Sequence, residues 1–350
     1  MNDLVFVAGM LLLLGILLTW GCLHLPGERW QMLAAIPWKK GEDGLWRGVN
    51  LTFYGFFIAT SQFLALCLLL ILLGAARVSL AGGLLAIAIV LAVAIPAARV
   101  VAILVEKKRH TFTIGGASFV GILIAPWAIL LAERAVNHVL PCRLPMLPVL
   151  TAMTIAYVLG EGLGRLGCIS FGCCYGKPLK ECSPFLQRLF GRSAFIFQGA
   201  TKKAIYEGQL AGEPLVPIQA ITSILYCLTA TVASFLFLRG HFQAALILSI
   251  TVSQLWRIFS ETWRADFRGF SRISAYQKMG GAAVLYILVI ALFIPVPQMA
   301  VPAVGLGLGL LWQPGLLLGL QLLWLLFFVI FGRSTVTRST LSFELVRELL

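Results

Sequence analysis

The chain has 350 residues, of which 60% are hydrophobic and only 12% are charged. Soluble globular proteins contain roughly 45–50% apolar and about 25% charged residues, so this composition excludes both a water-soluble fold and a disordered chain. The formal net charge is +13, and in a membrane protein such an excess usually lies on the loops. Nucleic acid is not an expected partner, because no soluble basic domain is present to hold it.

Long apolar runs predict an all-α fold, a polytopic transmembrane helical bundle of about 7–9 spans, because each run is near the ~20 residues that a bilayer requires. The alternating pattern of an outer-membrane barrel is absent from them. In chain order the runs cover 4–25, 51–76, 79–105, 115–132, 144–163, 217–238, 241–261, 280–297 and 303–331. The first run lacks the positively charged start of a signal peptide and is predicted to be a transmembrane helix. The last contains Pro314, which indicates a kinked helix or a re-entrant pair.

The connection at 164–216 is much longer than the others and predicts a small extramembrane head. Loops of this length often carry function. Most of the 27 Lys and Arg residues fall on the membrane face that carries this head. The other face holds only Arg77, Arg134, Arg143 and Arg239. By the positive-inside rule, this asymmetry places the head in the cytoplasm. Alternatively, the basic face binds an anionic lipid, and its charge then says nothing about the orientation of the protein in the membrane.

Three arginines, Arg99, Arg165 and Arg257, lie within or at the ends of apolar runs and are candidate functional residues, because a charge inside the membrane is costly. Arg257 and Glu261 are four residues apart, so on a helix they share a face and can pair. The pair is either structural or holds a guanidinium ready for a phosphate. Arg165 lies in a glycine-dense stretch from Gly160 to Gly176, which favours either close helix packing or close approach of backbone to a ligand.

Four cysteines of the predicted head, Cys168, Cys173, Cys174 and Cys182, form no CxxC pair and have no neighbouring histidine. Structural zinc sites usually have tighter pairs, and we therefore predict neither a metal site nor a cofactor. A disulfide or a nucleophilic thiol beside Arg165 is left open. His110 follows a basic cluster and is either a general base or a loop residue that faces lipid headgroups.

Short motifs in a fixed order resemble those of the prolipoprotein diacylglyceryl transferase family from about 45 to 295. They are Tyr54-Gly55, Ala97-Ala98-Arg99, Gly115 to Gly121, Gly164-Arg165-Leu166-Gly167 with Gly172 and Gly176, Pro217-Ile218-Gln219, and Arg257 with Glu261, Trp263, Arg264 and Asp266. The resemblance divides the chain into 1–50, an additional N-terminal span and loop; 51–300, a transferase-like membrane core with the head 164–216; and 301–350, an additional C-terminal span and tail.

The resemblance implies an enzyme of the bacterial inner membrane. It would move the diacylglyceryl group of phosphatidylglycerol, an anionic phospholipid, to the lipobox cysteine thiol of a prolipoprotein. Arg165 and Arg257 would clamp the phosphodiester, Glu261 would orient Arg257, and Tyr54 would bind near the headgroup. The head would lie outside the cytoplasm.

The sequence departs from the family at three polar positions. The family's His falls on Val120, its Asn on Cys168 and its Glu on Cys173; Cys168, Cys173, Tyr175 and His110 are possible replacements. A family offshoot with another acceptor and a non-catalytic phospholipid-binding or transport protein therefore remain alternatives. The candidate catalytic residues are Arg165, Arg257, Glu261, Cys168 and Cys173. The candidate substrate-binding residues are Tyr54, Arg99, Gly115, Gly116, Ser118, Gly167, Gly172, Tyr175, Gly176, Gln219 and Arg264.

Overall fold

A computed structural model describes residues 3–107, 113–138, 144–266 and 273–350. Within them it contains a helical bundle with a small sheet at one end. The helices are α1 (Asp3–His24), α2 (Phe53–Ala75), α3 (Leu80–Glu106), α4 (Ile114–Asn137), α5 (Met146–Phe171), α6 (Pro184–Phe190), α7 (Lys203–Tyr206), α8 (Ile218–Leu238), α9 (Phe242–Ser260), α10 (Ala275–Phe293), α11 (Val304–Leu311) and α12 (Pro314–Gly332). Of the described helices, 9 are long and apolar enough to cross a membrane, which confirms the predicted polytopic bundle.

The central helix of the bundle is α5, which is buried along almost its whole length between α2 and α8. Small residues make this packing possible. Gly160 lies against Ala65 of α2, and a Cβ at Gly162 would lie 2.9 Å from the Cβ of Tyr226 on α8. The sequence predicted that this span ends at 163, whereas the helix continues to Phe171. The glycines of this stretch form a surface on which neighbouring helices pack, which is one of the two alternatives that the sequence left open.

The last apolar run is divided at Pro314, as its sequence indicates. Helix α11 is 8 residues long, which is too short to cross a bilayer, and Pro314 begins α12 in the first turn, where a missing N–H costs nothing. Both helices pack against α2. Gly55 at the start of α2 touches the backbone at Gly332 so closely that a Cβ there would overlap it. The C-terminal region is therefore packed into the bundle.

A three-stranded antiparallel sheet, which the sequence did not predict, covers one end of the bundle. Its strands are β1 (Met32–Lys40), β2 (Trp46–Thr52) and β3 (Arg333–Leu341), in the order β1-β2-β3. The buried side chain of Asn50 on β2 donates from Nδ2 to Thr337 Oγ1 at 3.0 Å, and its Oδ1 accepts a hydrogen bond from Ser339 Oγ. These bonds fix β3 against β2.

The head follows Gly172, whose φ of +72° ends α5 in the left-handed conformation that glycine adopts readily. Helices α6 and α7 and short bridged segments form the rest of it. A fully buried lysine docks the head on the bundle: Lys202 Nζ donates to Leu25 O at 2.8 Å and to Ser170 O at 2.6 Å. The starts of α2, α4, α8 and α10 and the ends of α5, α9 and α12 meet at this end of the bundle.

Candidate functional site

A cavity of about 490 Å³ opens among these helix ends, the head and the first residues of β3. This volume is in the range of small-molecule binding sites. Nine of the residues predicted from the sequence line it: Tyr54, Gly115, Arg165, Cys168, Cys173, Gln219, Arg257, Glu261 and Arg264. The sequence therefore identified much of the wall of one cavity from positions that are far apart in the chain.

The two arginines Arg165 and Arg257 line the cavity and belong to an ionic cluster built on one face of α5. Tyr157, Glu161 and Arg165 are spaced one helical turn apart, so their side chains are neighbours. Arg165 Nη2 donates to Glu161 Oε1 at 2.7 Å, and Arg257 Nη2 from α9 donates to the same oxygen. The Tyr157 hydroxyl donates to the other carboxylate oxygen, Oε2. Two guanidinium groups from different helices thus converge on a single carboxylate.

This cluster carries an excess positive charge and unused donors. The side chains of Arg165 and Arg257 are 13% and 12% exposed, and that of Glu161 is 4% exposed. Two guanidinium groups and one carboxylate sum to one positive charge. Within the described part of the chain, the buried Nε atoms of both arginines lack a hydrogen-bond partner. A buried, unpaired donor is costly, and the excess positive charge favours an anion as the ligand of this site.

Further basic side chains surround the cluster. Arg264 makes a two-pronged ion pair with Asp266, with both nitrogen–oxygen distances at 2.7 Å. Lys203 and Arg333 also line the cavity, and Lys203 Nζ lies 3.2 Å from Glu207 Oε2. Because five cationic and only two acidic side chains line the cavity, it favours a phosphate or carboxylate ligand over a neutral one.

Three cysteine side chains form part of the same wall. The Sγ atoms of Cys168, Cys173 and Cys174 all lie within 4.8 Å of one another. Hydrogen bonds from the Cys168 and Cys173 thiols, with the positive charges of Arg264 and Arg165, hold the pKa of the Cys174 thiol well below its ordinary value. Cys182 is separate, and its thiol donates to Pro178 O at 3.5 Å.

The expected pairing of Arg257 with Glu261 is wrong. Helix α9 ends at Ser260, so Glu261 begins a 3₁₀ turn and does not lie one α-helical turn beyond Arg257. Its Oε2 instead accepts a hydrogen bond from Ser274 Oγ. Glu161 orients Arg257. Neither Glu161 nor Tyr157 was identified as a site residue from the sequence. A carboxylate within an apolar run, one helical turn from Arg165, was a signal that could have identified Glu161.

Six other predicted residues shape the region around the cavity and are absent from its lining. Ser118 Oγ donates to Gly115 O at 3.2 Å, and Tyr175 O accepts a hydrogen bond from the Ala265 N–H at 3.1 Å. Four glycines allow close packing or a turn: Gly116 against Val101, Gly167 against Tyr54, Gly172 at the end of α5, and Gly176 against Val216. For these positions the structure favours the packing interpretation.

Two predicted residues lie elsewhere. Arg99 is an exposed residue of α3 and does not line the cavity. His110 lies outside the described residues, as do the neighbouring basic residues Lys108 and Arg109. Val120, which the resemblance places at the position of the family's His, is further along α4 than the residues that line the cavity, which are Thr113 to Gly115.

Together these features define a helical membrane protein with a cationic cavity at one end of its bundle. The family model for prolipoprotein diacylglyceryl transferase matches residues 45–296, which is more than half of the chain. The chain therefore belongs to this family, whose members are membrane transferases that move a diacylglyceryl group to a prolipoprotein. No curated protein and no solved structure gives a significant match to the chain. Helices α1, α11 and α12 and strands β1 and β3 lie outside the matched region.

Proposed function

We propose that this protein transfers the diacylglyceryl group of phosphatidylglycerol to a prolipoprotein cysteine thiol in the bacterial inner membrane. The observation that carries the proposal is the pair of arginines, Arg165 and Arg257, which share Glu161 and leave one uncompensated positive charge in the cavity. A phosphodiester has one negative charge, which matches the excess positive charge of this site. Its oxygens can also accept hydrogen bonds from the planar guanidinium groups.

The reaction moves charge onto the phosphate. The acceptor sulfur attacks the terminal glycerol carbon of the diacylglycerol, a carbon–sulfur bond forms, and the carbon–oxygen bond to phosphate breaks. Glycerol phosphate leaves with the electron pair, and the negative charge on the phosphate grows from one to nearly two. The guanidinium groups of Arg165 and Arg257 line the cavity and can stabilise the oxygen that gains charge, which is how such donors accelerate a reaction.

Neighbouring residues fit the headgroup. Gln219 donates from Nε2 to Cys173 O at 2.9 Å, while its buried Oε1 has no partner among the described residues. This oxygen can accept a hydrogen bond from a glycerol hydroxyl. At Gly115 a Cβ would lie 2.8 Å from Tyr276 Cδ1 and 3.1 Å from Arg257 Nη1, so glycine keeps the space beside the guanidinium open. Tyr54 supplies a further wall.

The test is a transfer assay with purified full-length protein. Labelled phosphatidylglycerol and a lipobox peptide should give lipidated peptide and free glycerol phosphate, and phosphatidylcholine should give neither. Arg165→Lys and Arg257→Lys retain the positive charge but lose the planar guanidinium group with its several donors. Each should lower the rate of lipid transfer by about 100-fold or more. Arg239→Ala, at the opposite end of the bundle, is the matched control and should keep the wild-type rate.

Two outcomes would contradict the proposal. Consumption of phosphatidylglycerol only in the presence of some other acceptor would indicate a family member with a different nucleophile. Binding of the lipid without turnover would indicate a phospholipid-binding or transport protein, a reading favoured by Val120 at the position of the family's His.

A further inference from the structure

The three thiols of the cavity wall form a group that the transfer of charge to phosphate does not use. Cys168 is buried, Cys173 and Cys174 are half-buried, and all three line the cavity. Sulfur ligands about 2.3 Å from a tetrahedral zinc ion lie roughly 3.8 Å from one another. Since the three Sγ atoms are already within 4.8 Å of one another, side-chain shifts of less than about 1 Å would complete a three-sulfur ligand set.

The end of α5 brings these thiols together. Gly172 reverses the chain in its left-handed conformation, and the Cys173 N–H then donates to Cys168 O at 3.1 Å. Cys174 also has a positive φ of 56°, which turns it back towards the helix end. The spacing from Cys168 to Cys173 is too long for a CxxC pair, but this reversal produces the same convergence.

The charges around the thiols suit a bound cation. A divalent ion with three thiolates has a net charge of −1, and a fourth thiolate brings it to −2; the guanidinium groups of Arg165 and Arg264, which line the same cavity, offset part of this charge. Gln219 holds the backbone at Cys173 in place through its hydrogen bond to Cys173 O, in the manner of the outer residues that orient metal ligands. Thiolates are soft donors that select zinc over magnesium or calcium.

We propose that Cys168, Cys173 and Cys174 bind one Zn²⁺ ion whose fourth coordination position opens into the cavity and binds the acceptor thiol. This inference rests on the proposed transferase function, and it replaces the sequence-based expectation of no metal. A zinc-bound thiol loses its proton, which is released to solvent. The resulting thiolate keeps the electron pair with which it attacks the glycerol carbon. The ion thereby supplies the activation that the family's His cannot supply where the chain has Val120.

The primary test measures metal without substrate. Full-length protein in detergent is equilibrated with Zn²⁺, freed of excess ion and analysed by mass spectrometry for bound metal. Wild type and Cys182→Ser, the matched control, should each retain one ion per chain. Cys168→Ser, Cys173→Ser and Cys174→Ser should each weaken Zn²⁺ binding by more than about 100-fold, since loss of an outer-shell partner alone costs 10–100-fold. Co²⁺ in place of Zn²⁺ should give thiolate charge-transfer absorption that these variants lack.

The transfer assay separates this inference from the proposed function. One bound ion without lipidation of any thiol would leave the metal site standing and overturn the proposed function. Full transfer by a triple serine variant would overturn the metal site and leave the function standing. The metal proposal also fails if wild type retains no more zinc than the triple variant, or if peptide mapping of protein purified without reductant finds a disulfide joining two of the three cysteines.

Discussion

Glu161 separates the two guanidinium groups that would otherwise repel each other inside the bundle. Its Oε1 accepts from both arginines, and its Oε2 accepts from Tyr157. Removing one partner of a buried ionic cluster costs far more than removing an exposed pair, because the remaining charges stay buried without compensation. The carboxylate is therefore as important for stability as it is for aiming the arginines.

Replacement of Glu161 by Gln should lower the free energy of unfolding by about 3–5 kcal/mol. Added phosphatidylglycerol should then raise the melting temperature of the variant more than that of wild type, because the phosphate supplies the missing negative charge. Thermal unfolding in detergent with and without the lipid measures both effects. Glu213→Gln removes an exposed ion pair with Lys180 and should change stability by less than about 1 kcal/mol. Equal losses in the two variants would refute this account of Glu161.

Lys202 makes the stability of the head depend on pH. Burial lowers its pKa to about 7, and the nearby Glu28 carboxylate offsets part of this lowering. Between pH 7 and about 10.4, the pKa of a free lysine, the unfolded chain binds a proton that the folded chain lacks. The contribution of this lysine to the free energy of unfolding therefore rises with pH through that range, and it is lowest below pH 7.

The Lys202→Met variant should lose this dependence. Its melting temperature, measured from about pH 6.5 to 8.5, should vary less with pH than that of wild type. The other titrating groups remain in both proteins, so the difference between the two curves isolates Lys202. Parallel curves for the two proteins would show that Lys202 does not titrate in this range.

Individual residues differ in how far the sequence identifies them. Arg165 and Arg257 are recognisable because a charge in an apolar run is costly, and their convergence agrees with that reasoning. The partner of Arg257 is not recognisable in the same way, because it depends on where α9 ends and on how α5 lies beside it. The three thiols depend likewise on one left-handed glycine, Gly172, which spacing alone does not reveal.

Among the elements, the C-terminal strand has the most direct effect on the cavity. Strand β3 pairs with β2, and its residues Arg333 to Val336 form part of the cavity wall. The sequence placed 301–350 outside the transferase-like core, and the family match also ends before this region. Because it lines the same cavity as the two arginines, we expect it to help hold the donor headgroup.

A chain that ends at Gly332 should therefore fold its helices but transfer lipid at least about tenfold more slowly, because one wall that positions the donor is missing. The transfer assay measures the rate, and circular dichroism checks the helix content. A chain that ends at Leu341 is the matched control: it retains β3, loses only residues that do not line the cavity, and should keep the wild-type rate. The same rate in both truncated chains would exclude a role for β3.

At the scale of the whole molecule, the helix ends that line the cavity share one face with the head and the sheet. Composition and run length predicted the spanning helices because membrane insertion is governed by apolar length. They did not predict the sheet. The pairing of β2 with β3 joins segments nearly the whole chain apart and leaves no local pattern, whereas β1 and β2 form a hairpin whose Asp43-Gly44 turn was a local signal that the sequence analysis missed. The side of the membrane on which this face lies is the remaining expectation for the whole molecule.

We expect the head to lie outside the cytoplasm, because a basic outer face suits an anionic donor. In bacterial cells, alkaline phosphatase inserted at Gly212, in an exposed turn of the head, should be active. A fluorescent protein inserted at Gly240, in the turn between α8 and α9 at the opposite end, should fluoresce. The reverse pattern would place the head in the cytoplasm, as the positive-inside rule alone predicts.

The position of β3 in the chain also sets the order of events during synthesis. The ribosome makes this strand after every spanning helix among the described residues, yet Arg333 to Val336 complete the cavity wall. A nascent chain can thus have all these helices inserted in the bilayer while its arginine pair still lacks an enclosing pocket. We therefore expect lipid capture to be slower until translation has passed β3 and the strand has paired with β2.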